Sequence, residues 1–146
     1  MVDLIDRALR LWSDPVPVGD KGLAAFRTVY TDPLRVNGVP TALVELVERA
    51  RMLQRALDPL SHEVFEQFDA PGRCAFVFRL YGRHVGPLVT PLGDVAATGQ
   101  VVEMRGMDIF EIDDGGVAGV WAIADWLALL SQAGTVALAG GESPTG

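Results

Sequence analysis

Residues 101–112, VVEMRGMDIFEI, constrain this chain more than any other stretch. Side chains alternate between the two faces of a strand, so parity sorts the stretch into two surfaces. Val102, Met104, Gly106, Asp108, Phe110 and Ile112 form one face, which is apolar apart from a single carboxylate. Val101, Glu103, Arg105, Met107, Ile109 and Glu111 form the other, a mixed face suited to solvent or a second subunit. A carboxylate among apolar neighbours is costly to ionise, so its acidity must be shifted or its charge compensated. Asp108 is therefore the first candidate functional residue. The DDGG turn and the run VAGVWAIAD behind it complete a β-hairpin.

With 146 residues the chain has the material for one domain with a sizeable core. The net charge of −7 leaves no basic footprint for nucleic acid or an anionic membrane. A single cysteine, Cys74, excludes an intramolecular disulfide and a cysteine-based zinc site. With two histidines and no carboxylate cluster at ligand spacing, no metal site is expected. The first residues carry Asp3 and Asp6 where an export signal carries positive charge, and the longest apolar run, 117–130, contains Asp125. These features predict a cytoplasmic domain without a membrane span.

The order of elements predicts an α+β fold. Leu4, Ile5, Ala8 and Trp12 mark a helix over 3–12, and SDPVPVGD breaks it. Asp20 is placed to cap a second helix in which Leu23, Phe26 and Tyr30 share a face, ending before Thr31-Asp32-Pro33. LRVNGVP reads as a short extended piece, and Pro40 as the opening of a third helix. That helix has a stripe of Leu43, Val47, Ala50, Leu53 and Leu57, with Glu45–Arg49 and Glu48–Arg51 spaced to pair on its wet side. Strands follow at 60–68, 73–84, 101–112 and 117 to about 124, with a long loop over 86–99. Asp125 is placed to cap a last helix, WLALLSQA, which Gly134 ends. Residues 1–135 form one domain, and 136–146 are expected to be a disordered tail.

YTDPLRVNG, GRHVGPL, TGQVVEMRGMDIFEIDDGG and VWAIADWLALLSQAG together resemble the SnoaL-like polyketide cyclases, within the nuclear transport factor 2-like superfamily. The resemblance runs over nearly the whole chain and is most specific from Thr98 to Gly134. It implies a cone-shaped fold in which a curved antiparallel sheet wraps a deep pocket closed by the N-terminal helices. It also implies a homodimer formed through the outer sheet face, where Arg79, Tyr81, Arg83, Glu103 and Arg105 stand. Many relatives carry Glu-His before the tryptophan of the last strand, whereas Gly119 and Val120 precede Trp121 here. The paired Arg-x-Asp of a limonene-type epoxide hydrolase is absent from 73–84, which makes that the weaker reading.

The activity implied by the resemblance is a cofactor-independent cyclase or isomerase that closes a ring on a hydrophobic, polyketide-type carbonyl compound by an aldol-type reaction. Asp108 would be its acid/base, because a carboxyl in an apolar wall has its pKa raised and can give a proton to a carbonyl oxygen. A protonated aspartate donates to an oxyanion in ketosteroid isomerase, and the resemblance places Asp108 at the matching point. His84 is the other ionisable group on an apolar strand face; the readings for it are a partner that pairs with Asp108 or steers its proton, a substrate contact at the rim, or a strand-end histidine bonded to backbone or water. Trp121, Phe110, Phe78, Phe76 and Met104 from the strands, with Tyr30, Phe26 and Trp12 from the helices, are the expected lining for a planar ligand. Asp125 stands near a pocket mouth, although capping accounts for it fully. The alternative from another class is a non-catalytic protein that uses the same pocket only to capture a small molecule.

Overall fold

The computed structural model describes residues 2–136 and 139. The elements run α1 (Val2–Ser13), α2 (Asp20–Arg27), β1 (Tyr30–Val36), β2 (Val39–Thr41), α3 (Leu43–Ala56), β3 (Ser61–Ala70), β4 (Arg73–Arg83), β5 (Leu88–Thr90), β6 (Gly93–Val95), β7 (Val101–Asp113), β8 (Gly116–Ala124) and α4 (Trp126–Gln132). The expectation of a tail over 136–146 lies, apart from Val136 and Ala139, outside the described residues.

Six strands form a curved sheet in the order β2-β1-β8-β7-β4-β3. Its centre is an antiparallel ladder in which β4 pairs with β7 without a break from Arg73↔Glu111 to Arg83↔Val101. The expected alternation is present: Cys74, Phe76, Phe78, Leu80 and Gly82 of β4 are buried, and their neighbours are less so. Val102, Gly106 and Phe110 of β7 face the same core. The sheet is mixed rather than wholly antiparallel as expected. β1 runs parallel to β8, because the chain enters beside its own last strand.

Local chemistry explains the other departures. LRVNGVP is not a single extended piece but a hairpin, turned by Asn37 (φ 51°) and Gly38 (φ 80°). Asp114 (φ 49°) and Gly115 (φ 76°) turn β7 into β8 in the same way. Two successive positive φ angles match the twist of paired strands, which is why Asn-Gly and Asp-Gly serve here. Pro40 belongs to β2, and α3 starts at Leu43, whose N–H donates to Asp32 Oδ1 (3.1 Å). Asp20 is the first residue of α2 and makes no side-chain cap. α2 stops at Arg27, so Tyr30 opens β1, yet its ring still stacks on Phe26 at 5.9 Å. The stretch 86–99, expected to be loop, holds the β5–β6 hairpin, which among the described residues pairs only with itself.

The helices cover the concave face. Leu43, Val47 and Ala50 of α3, and Leu57 just beyond it, are buried, whereas Glu45–Arg49 (3.8 Å) and Glu48–Arg51 (2.6 Å) pair outside. α1 sends Ile5, Ala8 and Leu9 inward. The Gln54 amide of α3 ties down the segment after α1: its Nε2 donates to Trp12 O and Asp14 O, and its Oε1 accepts from Val16 N (3.1 Å). Trp12 is thereby fixed over the sheet. Asp125 Oδ1 accepts from Ala128 N (3.0 Å) and caps α4, as expected. Among the described residues no helix is long and apolar enough to cross a membrane.

Replacing Gln54 with Leu keeps the volume and removes three hydrogen bonds, two in half-buried surroundings and one exposed. The expected loss is about 2–4 kcal/mol, read from the midpoint of urea unfolding. A midpoint equal to wild type would show that the amide does not anchor α1.

Candidate functional site

The concave face and the helices enclose a cavity of about 620 Å³, a size suited to a small organic molecule. β4 contributes Phe76, Phe78 and Leu80, and β7 contributes Met104, Asp108 and Phe110. Val120 and Ala122 of β8 complete the sheet wall. Leu9 and Trp12 of α1, Leu46 and Leu53 of α3 and Tyr30 of β1 cover it, while Arg49, Met52 and the hairpin residues Val89 and Pro91 reach its rim. Gly106 shapes the wall: a Cβ there would lie 3.2 Å from the Phe78 ring, so glycine lets that ring lie across β7. Phe76 packs edge-on against Phe110 at 4.9 Å, and Phe110 against Tyr30 at 6.3 Å.

Asp108 stands in this wall, opposite Phe76 on one side and Ala122 on the other. Burial alone pushes its carboxyl up to about 7. No cation or hydrogen-bond donor among the described residues compensates its charge, so the apolar surroundings set the shift. Tyr30 also lines the cavity, and its hydroxyl accepts a hydrogen bond from Trp12 Nε1 (3.1 Å). Burial raises the phenol well above its ordinary value, the Trp12 bond works against that, and the nearby Asp108 charge adds to it. Among the described residues no three His, Cys, Asp or Glu side chains converge as metal ligands do.

The structure thus brings together Asp108, Tyr30, Trp12, Phe76, Phe78, Phe110 and Met104. Four other candidates lie elsewhere. His84 is fully buried beyond the end of β4, where its Nδ1 bonds Thr98 Oγ1 (3.1 Å) and accepts from Thr98 N (3.3 Å). It stands eight residues from Phe76, the partner of Asp108, which is about 26 Å along the strand at ~3.3 Å per residue. It therefore pairs with the loop, not with Asp108. Phe26 sits behind the cavity, packed between Trp12 and Tyr30. Asp125 caps α4 and does not line the cavity.

Trp121 is on the wrong face for the cavity, and the reason is a β-bulge. From the turn, β7 and β8 pair as Asp113↔Gly116 and Ile112↔Val117, but the next pair is Glu111↔Gly119. Ala118 is the extra residue. One inserted residue sends every later side chain to the opposite face. Without it Trp121 would stand opposite Asp108; with it Ala122 does, and Trp121 turns outward, 46% exposed, with Nε1 donating to Glu111 Oε1 (2.8 Å).

Sequence reasoning missed the α3 and hairpin residues of the lining. The third-helix stripe carried the signal for Leu53, because a helix that covers a hollow sheet exposes part of its apolar face to the hollow, whereas Leu46 lay outside that stripe. Nothing in 86–99 announced the hairpin.

Comparison with known proteins agrees with this architecture. The sequence model of the SnoaL-like polyketide cyclases matches residues 18–133. The chain belongs to that family. No curated protein matches the sequence significantly. Among solved structures, TsrD from Streptomyces laurentii superposes with a TM-score of 0.76 at 20% identity, over 92% of this chain and 95% of that one. IdmH from Streptomyces antibioticus gives 0.71 at 17% identity, over 91% and 97%. A SnoaL-like polyketide cyclase from Agrobacterium tumefaciens gives 0.67 at 16%, over 88% and 96%. At these identities the likeness shows the shared nuclear transport factor 2-like fold.

The raised Asp108 carboxyl makes stability depend on pH. Between the unfolded value near 4 and the folded value of about 7, the folded chain holds a proton that the unfolded chain has lost. Stability therefore falls as pH rises through that window and is level above it. Asp108→Asn removes the effect: its advantage over wild type is expected to be near zero at pH 4 and to reach about 2–4 kcal/mol at pH 8. Thermal unfolding across pH measures this, and a pH-independent difference would contradict the raised pKa.

Proposed function

We propose that this member of the family is a cofactor-independent cyclase or isomerase acting on a hydrophobic, polyketide-type carbonyl compound, with Asp108 as its acid/base. The observation that carries the reading is a buried carboxyl, pushed up to about 7, in the apolar wall of a cavity of ligand size. Such a group is divided between its two forms near neutral pH, the condition under which one residue can accept and return a proton. Its carboxylate takes the α-proton of the substrate. The resulting enolate carbon attacks a second carbonyl carbon and forms the C–C bond. The π pair of that carbonyl becomes an alkoxide, which takes the proton back from Asp108. Atoms balance, and the ring closure is an isomerisation. The aromatic walls fold the chain so that the two carbons meet, which can supply most of the acceleration.

The proton transfer is testable without the natural substrate. Deuterium uptake at the α-carbon of 2-tetralone, a flat hydrophobic ketone, is followed by NMR in D2O. Wild type is expected to accelerate the exchange, with a rate that rises through a pD near 7, and Asp108→Asn to lose at least a hundredfold. An undiminished rate in that variant would sink the assignment. Binding of 2-tetralone with no acceleration by wild type would favour the capture reading.

The same proposal includes a second copy of the chain as partner. Trp121, Ile123 (77% exposed) and Met107 lie on the outer face of the sheet, an apolar area bordered by the Arg79–Glu103 pair (2.9 Å). A patch of this kind on a sheet face supports pairing between like faces. Light scattering is expected to give twice the chain mass for wild type and the chain mass for Ile123→Asp. A monomeric wild type would contradict it.

A further inference from the structure

We infer that Tyr30 is a second catalytic residue, a phenol that donates a hydrogen bond to the substrate oxygen on which negative charge develops, and that Trp12 is the residue that positions it. This rests on the reading of Asp108 as the group that moves the proton.

The geometry is specific. Tyr30 is 5% exposed and lines the cavity that holds Asp108. Trp12 Nε1 donates to the phenol oxygen at 3.1 Å. An indole N–H can only donate, so the tyrosine oxygen is the acceptor in that bond and keeps its own proton for another partner. No acceptor for that proton lies within reach among the described residues, and the Asp108 carboxyl makes no hydrogen bond with it. A buried hydroxyl normally satisfies its donor, so the proton is directed at the cavity contents. The ring is held on both sides, stacked on Phe26 at 5.9 Å and edge-on to Phe110 at 6.3 Å.

The chemistry suits a developing oxyanion. When the substrate α-proton leaves, charge moves to the carbonyl oxygen, and a preplaced donor in a dry site favours that charge without reorganisation. The bond from Trp12 polarises the phenol and strengthens its donation. The phenol pKa, raised by burial, keeps its proton in place at any working pH, so Tyr30 shares the proton and does not transfer it. Acid/base work is left to Asp108.

The test uses 2-naphthol, which presents an aromatic oxygen of partial negative charge, and naphthalene, which has the same body without it. Both are titrated by fluorescence into wild type, Tyr30→Phe, Trp12→Phe and Asp108→Asn. Wild type is expected to prefer 2-naphthol by tenfold or more. Tyr30→Phe is expected to lose that preference and keep its naphthalene affinity, which also shows that the cavity is still folded. Trp12→Phe is expected to lose part of it, and Asp108→Asn to retain it. An unchanged preference in Tyr30→Phe, or no preference in wild type, would overturn the inference. Failure of the Asp108 reading shows instead in ketone exchange, so the two are separable.

Discussion

The structure depends on a dry row of side chains along the inner face of β4, β7 and β8. Buried aromatic and aliphatic side chains each stabilise the fold by about 1.5–3 kcal/mol, and Phe76, Phe110 and Val102 are fully buried while Phe78 and Met104 pack beside them. Into this row the sequence places one carboxyl, at a cost of a few kcal/mol when it is ionised. The first sum exceeds the second several times over, so the fold carries the carboxyl without compensating it. An arginine beside Asp108 would lower its pKa and remove the feature that supports a reaction.

Closure of the cavity follows from the same requirement. A sheet that is apolar on its concave side must be covered, and α1 and α3 cover it with Leu9, Trp12, Leu46 and Leu53. They leave the hollow unfilled because the sheet curves away from them and because glycine at 106 yields its space to the Phe78 ring. Charges are kept to the outer face, where Glu103 holds Arg79 (2.9 Å) and Arg105 (2.9 Å), and the Arg79 hydrogen bond keeps the Glu103 carboxyl below its ordinary range. Two carboxylates on one strand, Glu103 and Asp108, thus have opposite shifts because parity sends them to opposite solvents.

Parity is also why so much of the site was legible in the sequence. The alternation in 73–84 and 101–112 correctly assigned inner and outer residues for two whole strands, and it isolated Asp108 on the inner one. The helical stripe in α3 was equally plain. What failed was what alternation cannot see. A bulge at Ala118 adds one residue to one strand and leaves no mark in the hydrophobic pattern of VAGVWAIA, which is apolar on both faces. His84 continues the parity of β4, but pairing with β7 ends at Arg83, and beyond it the backbone hydrogen bonds go to Gln100, Gly99 and Ala56. Tyr30 fits a helix period after Phe26, yet Thr28 closes α2 by donating from its N–H and Oγ1 to Ala25 O. In each case a local backbone event, set by few residues, overrode a longer pattern.

The division of roles proposed for Asp108 and Tyr30 rests on one environment acting on two acids of different strength. Burial raises both groups by disfavouring their charged forms. A carboxyl starts about six units below a phenol, so the same pressure brings the carboxyl to neutrality and carries the phenol further from it. A group at neutrality exchanges its proton readily; a group far above it holds the proton and can only share it. In the proposed reaction burial alone would supply both a proton carrier and a fixed donor, with one indole N–H to aim the donor. Neither role requires a charged partner, which is consistent with an acidic chain whose arginines among the described residues are half-buried or exposed and lie away from Asp108.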